Sequence, residues 1–254
     1  MKERYILSLF YLLTGAFSLL LSPNYAEAGV RAFENPSDVS NSFYYLLMIL
    51  AFTILVILLA KRKEFLKAIF YFLIFLTYIY AFLPFLGVFS VLPSVVLLSL
   101  LVLKRNWIVL NISGILIASA ITAIFGISFE PYPAIILLVI LAIYDYIAVY
   151  KTKHMIRLAE SVSEINVPVL FVIPRKGKNA IMGVGDVVIP NILAVSSYTF
   201  NHCLMQSVLV IIFGYIGLLS LMTLVERKGG AHAGLPFLNT GAIAGYLLGS
   251  LLCH

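Results

Sequence analysis

Hydrophobic residues in this chain form long, nearly unbroken runs separated by short polar segments. A helix needs about 20 mainly apolar residues to cross about 30 Å of hydrocarbon, so runs of this length predict membrane-spanning helices. The third and fourth runs are separated only by Gly87. The qualifying runs cover residues 5–22, 43–60, 67–86, 88–103, 107–126, 132–150, 183–201, 204–225 and 235–252.

The basic residues provide an independent check on this count. If the N-terminus is cytoplasmic, all but one of the 17 Lys and Arg fall in cytoplasmic segments, and the exception is Arg31. A missing or extra span would invert every later loop and destroy this asymmetry. The sequence therefore predicts an all-α polytopic membrane protein with nine transmembrane helices, a cytoplasmic N-terminus and an external C-terminus.

The first span has an alternative interpretation. Lys2 and Arg4 precede its apolar run, and Ala26-Glu27-Ala28 follows it as a small-x-small pattern like that of a signal-peptidase site. The run of about eighteen residues is longer than the apolar region of a typical signal peptide, which favours a retained helix. Cleavage would leave the remaining topology unchanged.

The composition agrees with a bilayer protein, because 62% of the 254 residues are hydrophobic, 11% are charged and the mean hydropathy is +1.07. We expect one membrane domain over 1–254, with helices 1–6 at about 5–150, a cytoplasmic loop at about 151–182 and helices 7–9 at about 183–252. The loop pattern predicts a short helix and then a strand over 167–173. The net charge of +6 lies in clusters between spans, so no nucleic-acid partner is predicted.

The cysteines and histidines give no sign of a metal site or cofactor. Cys203 and Cys253 are too few for a disulfide framework and lack the spacing of zinc ligands, and the four histidines lie near span ends. Both cysteines fall on the external side. This placement allows a single disulfide without requiring one.

Two acidic residues, Asp145 and Asp186, lie inside predicted spans, whereas the rest of the 11 acids are in loops or at span ends. A charge at mid-bilayer costs at least about 2.5 kcal/mol, so each acid needs a partner or a function. Asp145 precedes Lys151, and Asp186 follows Lys178, by about 9 and 12 Å of helix at about 1.5 Å per residue. At similar depths on consecutive antiparallel spans, the two carboxyls are expected to face each other.

Facing carboxyls have a specific chemistry. Two like charges a few ångströms apart in a low-dielectric site do not both ionise, so the pair holds one proton. The ionised aspartate can take a proton from water as the water attacks an amide carbonyl, and the protonated aspartate can bond the carbonyl oxygen. Two glycines before Asp186, Gly183 and Gly185, would let another backbone approach closely.

Three motifs lie in the last part of the chain: Ile143-Tyr144-Asp145-Tyr146, Gly183-Val184-Gly185-Asp186 and Gly234-Leu235-Pro236. Together they resemble the motifs of the presenilin and signal peptide peptidase family of intramembrane aspartyl proteases, particularly its short archaeal members. The detailed resemblance extends from about Pro131 to the C-terminus.

The resemblance implies a presenilin-like bundle in a cell membrane, with Asp145 and Asp186 as catalytic residues and no cofactor or metal. It implies supporting roles for Tyr144, Gly183, Gly185, Leu235 and Pro236. The family's Pro-Ala-Leu-Pro is replaced here by Ala233-Gly234-Leu235-Pro236, which changes the turn before the last helix. The expected substrates are transmembrane segments of other proteins in the lipid bilayer, without obligatory accessory subunits, while the oligomeric state stays open.

Two other functions remain open at this stage. Intramembrane aspartates also occur in proton- or cation-coupled transporters, although the sequence lacks an evident repeat of the transporter kind. A prepilin peptidase also resembles a Gly-x-Gly-Asp enzyme, but it typically carries its other aspartate in a cytoplasmic loop. The predicted strand at 167–173 adds a hypothesis on substrate binding: a substrate helix unwinds and adds a β-strand there, which exposes its amides.

Overall fold

The computed structural model describes residues 2–59, 62–104, 106–152, 168–174, 179–230 and 232–253. In these residues the chain is almost entirely helical, apart from one small hairpin. The helices are α1 (Lys2–Glu27), α2 (Ser40–Leu59), α3 (Lys63–Leu86), α4 (Val91–Leu103), α5 (Trp107–Gly126), α6 (Pro131–Ile147), α7 (Val184–Asn201), α8 (Leu204–Lys228) and α9 (Leu235–Leu252).

Seven helical segments within the described ranges are long and apolar enough to span a membrane. A 3-10 turn at Gly87–Ser90 joins α3 to α4, so Lys63–Leu103 counts as one segment of 41 residues. Helix α7 falls outside the seven. The multi-pass helical fold is thus confirmed, whereas nine transmembrane helices and the orientation of the termini stay predictions.

Helix α7 is the centre of the bundle although it is the least apolar of the predicted spans. It contacts α1, α5, α6, α8 and α9, and its side chains are buried continuously from Val187 to Ser197. Ser196 donates to the Phe129 carbonyl at 2.7 Å, and the Ser197 and Ser207 hydroxyls lie 3.0 Å apart. Because protein surrounds α7, these two serines find hydrogen-bond partners that lipid would not supply.

Helices α8 and α9 form the most extensive helix pair, and small residues allow their close approach. A Cβ at Gly241 would collide with the Phe213 carbonyl, and one at Gly245 with the Leu209 carbonyl. A disulfide between Cys203 and Cys253 joins the α7–α8 turn to the end of α9, with the two Cα atoms 6.3 Å apart. The disulfide therefore lies at the opposite end of α9 from the residue where that helix begins.

The hairpin lies between α6 and α7. Strand β1 (Leu170–Ile173) pairs antiparallel with β2 (Ala180–Gly183), and Leu170 is opposite Gly183. The strand predicted at 167–173 is therefore present in its second half, whereas the sequence analysis did not predict its partner strand. The short helix predicted before it, at the start of the 151–182 loop, lies mostly on residues 153–166, which are outside the described residues.

The α8–α9 interface can be tested with two adjacent residues of α9. Gly245→Ala is expected to lower the free energy of unfolding by about 1–3 kcal/mol, because the added methyl meets backbone atoms of Leu209 that cannot move aside. Ala244 is exposed, so Ala244→Leu is expected to leave stability unchanged despite its larger added volume. Thermal unfolding in detergent measures both, and equal effects of the two changes would contradict the packing described.

Candidate active site

Asp145 lies near the C-terminal end of α6, and the residue is only 5% exposed. Its Oδ2 accepts a hydrogen bond from the Leu235 N–H at 3.0 Å, and the Gly234 N–H also points at this carboxyl. Leu235 is the first residue of α9, where backbone N–H groups have no partner within the helix. A carboxyl of one helix therefore caps the N-terminus of another, which is a favourable place for a negative charge.

Asp186 is the third residue of α7, and its carboxyl is half-buried. Gly183 occupies the position just before the helix, with φ −64° and ψ 137°, and its N–H bonds back to the Asp186 carboxyl. This is the arrangement of a capping box, in which the third helical residue satisfies the N–H of the capping residue. Asp186 thus lies at the N-terminus of its own helix.

The two carboxyls meet on either side of Gly234. This residue directs its N–H toward Asp145, and a Cβ built on it would lie 3.5 Å from Cγ of Asp186. Asp145 also interacts electrostatically with Asp186. The prediction that the sixth and seventh predicted spans bring the two acids together is therefore consistent with the geometry, and the start of α9 lies between them.

The two motif glycines have different surroundings. A Cβ at Gly183 would lie 3.1 Å from Oδ2 of Asp186, so this glycine leaves room for the carboxyl itself. Gly185 is exposed, and a Cβ on it would meet nothing within 4 Å. Only Gly185 therefore fits the expectation of an open backbone beside the acids.

The other predicted site residues are Tyr144, Leu235 and Pro236, and their surroundings differ. Tyr144 is partly buried, lies next to Asp145 in the chain and hydrogen-bonds to the Thr53 side chain of α2. Leu235 is buried, whereas Pro236 lines a groove of about 400 Å³ between α8 and α9. Proline at the second position of α9 suits a helix start, because that N–H would have no partner in the helix.

Gly234 is not among the predicted site residues, which include its neighbours Leu235 and Pro236. In the sequence this glycine appears only as a departure from the family's Pro-Ala-Leu-Pro motif. The structure places Gly234 between the carboxyls, where an added Cβ would lie in ordinary contact with Asp186, at 3.5 Å, and closer to Leu221, at 3.3 Å. One feature of the sequence could have indicated its position: Gly234 directly precedes the last helix, whose start was expected to support the two acids.

The site's donor set is two carboxyls and backbone N–H groups. Among the described residues, no group of three or more His, Cys, Asp and Glu side chains could hold a metal ion, and no basic side chain forms an ion pair with either aspartate. Paired carboxyls that share one proton can act as base and acid on either side of a bound substrate. The arrangement therefore suits water activation by acid–base catalysis.

Comparisons with known proteins identify the family and similar folds. Residues 8–254 match the family described as signal-peptide peptidase, presenilin aspartyl protease. The fold is similar to two solved structures of a presenilin family intramembrane aspartate protease. In the C222 crystal form the TM-score is 0.74 at 33% identity, and in the P2 form it is 0.77 at 36% identity, with 96% of each chain covered in both cases. No curated protein matches the chain.

The capping role of Asp145 predicts a difference between two of its variants. Asp145→Ala is expected to be less stable than Asp145→Asn by about 1 kcal/mol, because asparagine keeps an acceptor oxygen for the Leu235 N–H and alanine leaves that N–H buried and unpaired. Glu130 precedes α6 without a capping bond from its side chain, so Glu130→Ala and Glu130→Gln are expected to unfold alike. Equal thermal stability of the two Asp145 variants in detergent would contradict the role.

Proposed function

We propose that this chain, which belongs to the signal-peptide peptidase and presenilin family of aspartyl proteases, hydrolyses peptide bonds within transmembrane helices of other proteins through Asp145 and Asp186. It is a multi-pass membrane protein and an aspartic endopeptidase by family. The observation that carries the proposed dyad is the meeting of both carboxyls at Gly234, each bonded to a helix N-terminus.

The mechanism follows from the hydrogen bonds to the two acids. Asp145 receives backbone N–H groups from Leu235 and Gly234, and Asp186 receives one from Gly183. We therefore place the negative charge on Asp145 and the shared proton on Asp186. Asp145 takes a proton from water while the water oxygen bonds to the scissile carbonyl carbon, and Asp186 donates a hydrogen bond to the carbonyl oxygen.

Collapse of the resulting tetrahedral intermediate breaks the C–N bond. A proton from the dyad passes to the leaving nitrogen, so the products are a carboxylic acid and an amine and the pair is left with one shared proton. No covalent bond forms between the substrate and the enzyme in this cycle. The open backbone at Gly185 provides space for the substrate chain next to Asp186.

The disulfide supports the proposed orientation in a cell membrane. Disulfides persist in oxidising compartments outside the cytosol. Cys203 follows α7 and Cys253 follows α9, whereas the dyad lies where both of these helices begin. An external disulfide thus agrees with a dyad near the cytoplasmic side and an external C-terminus.

We propose further that the chain forms one membrane domain and that this protein is active without accessory subunits.

A substrate strand has an edge to pair with at β2. Asn111 of α5 binds both backbone groups of Val172, donating to its carbonyl at 2.8 Å and accepting from its N–H at 2.9 Å. The N–H and carbonyl of Val172 therefore point away from β2, and Asn111 occupies the outer edge of β1 at this position. In an antiparallel pair the opposite residue then also points outward, so the backbone groups of Ile181 face the outer edge of β2.

That edge leads to the dyad. Ile181 is 49% exposed, and its strand ends at Gly183, which bonds to Asp186. An extended substrate paired with β2 would present its amides in sequence toward the carboxyls, whereas an intact helix would hide them. We therefore move the proposed pairing from β1 to β2. Phe171 is fully buried in the core, so β1 has a structural role instead.

The alternative functions have no support. The family match covers nearly the whole chain and describes proteases, so the same aspartates need no ion-transport role. A prepilin peptidase is not supported either, since both acids lie in the two antiparallel helices α6 and α7 of a presenilin-like fold.

The dyad predicts the effect of single changes on cleavage. In detergent, with a single-span reporter substrate, Asp145→Ala and Asp186→Ala are each expected to lower cleavage by at least about 100-fold, because either change removes an acid–base partner. Glu130→Gln, an acid changed at the opposite end of α6, is expected to retain activity. Cleavage at the wild-type rate in either aspartate variant would eliminate the proposed mechanism.

The β2 edge predicts a second effect. Ile181→Pro is expected to lower kcat/KM about tenfold, because it removes an outward N–H that would pair with substrate. The hairpin keeps its bonds, since this N–H does not point at β1. Ile181→Val, which keeps the N–H, is expected to remain active. If Ile181→Pro were as active as Ile181→Val, with equal thermal stability, substrate pairing at β2 would be wrong.

A further inference from the structure

The connection between α8 and α9 contains a histidine that the proposed mechanism does not use. The imidazole of His232 has Nε2 at 2.9 Å from the Gly229 carbonyl and Nδ1 at 2.9 Å from the Tyr150 hydroxyl. A carbonyl only accepts, so Nε2 carries a proton and donates to Gly229, while Nδ1 and the Tyr150 hydroxyl share the second hydrogen bond. His232 therefore makes one hydrogen bond within the α8–α9 connection and a second one to the segment that follows α6.

The tyrosine partner stands on a direct extension of the helix that carries Asp145. Helix α6 continues into a π-helical turn at Ala148–Thr152, which contains Tyr150. The ring of Tyr150 lies 4.9 Å from that of Tyr146 and 6.2 Å from that of His232, centroid to centroid. Because Tyr146 directly follows Asp145, the position of Tyr150 is coupled to the helix turn that holds the acid.

The α8–α9 connection and the start of α9 both contact the α6 region. Leu235 and Asn239 of α9 donate to the Asp145 carboxyl and to the Leu138 carbonyl, and His232 of the connection bonds to Tyr150. The contacts of α9 hold that helix on α6 but do not hold the connection, which begins with Gly229 and Gly230, and glycine has more backbone freedom than any other residue. The bond between His232 and Tyr150 restricts the connection just before Gly234.

We propose that His232 and Tyr150 are positioning residues that hold the Gly234 and Leu235 N–H groups on the Asp145 carboxyl. This inference rests on the proposed function, because it assigns the pair a role in the same dyad. Small displacements of a catalytic group lower the rate of the chemical step far more than they weaken substrate binding. The contact is therefore expected to act on kcat and to leave KM nearly unchanged.

The test is a double-mutant cycle on the full-length protein in detergent with the reporter substrate. Tyr150→Phe and His232→Ala are each expected to lower kcat about tenfold, with KM within twofold of wild type. The double variant is expected to be no slower than the slower single variant, because either change already breaks the same bond. His232→Asn, whose amide can replace Nδ1 toward Tyr150, is expected to recover part of the lost rate.

The matched control is Tyr132→Phe, the same change at an exposed tyrosine at the opposite end of α6, and its kcat is expected to stay at the wild-type value. A wild-type kcat in both single variants would overturn the inference. So would losses that multiply in the double variant, or a His232→Asn protein as slow as His232→Ala. Asp145→Ala is assayed alongside: if it cleaves, the proposed function fails, whereas if it is inactive and the His232 variants are normal, only the positioning role fails.

Discussion

The hydrogen bond from the Leu235 N–H to the Asp145 carboxyl is the interaction on which the rest of the site depends. A helix start has N–H groups without partners, and a buried carboxyl lacks water, so each satisfies the other. Asp186 meets the same need at the start of its own helix through Gly183. Both acids are therefore accommodated by backbone N–H groups, and the contact at Asp145 joins α9 to α6 together with the bond from Asn239 to the Leu138 carbonyl.

Much of the molecule could be predicted because its strongest signals are local. Long apolar runs placed α5 and α9 at residues 107–126 and 235–252, and the structure has the same bounds. The two aspartates stood out in the sequence because placing a charged side chain inside a bilayer costs free energy, so acids are rare in membrane spans. Helix α6 ends earlier than predicted, at Ile147, because the backbone there widens into a π-helical turn that an apolar pattern does not reveal.

What sequence reasoning missed depends on contacts between distant positions. Asn111 looks like one polar residue in an apolar span, and only the fold brings it to the edge of β1 at Val172. Strand β2 is short and runs directly into α7, so its residues read as part of a polar connection. His232 lies near a span end, where a solvated histidine is ordinary, and its bond to Tyr150 crosses from one connection to another.

The central place of α7 also has a consequence for how the protein is made. A segment containing Asp186, Pro190 and Asn191 is too polar to partition into lipid by itself, whereas α8 is strongly apolar and follows after only two residues. The two are therefore expected to enter the bilayer together as a helical hairpin, with α8 as the anchor. Under the proposed mechanism, catalytic competence is expected only after α9 has emerged and its N–H groups have reached Asp145, so a nascent chain still in the translocation machinery is expected to lack protease activity.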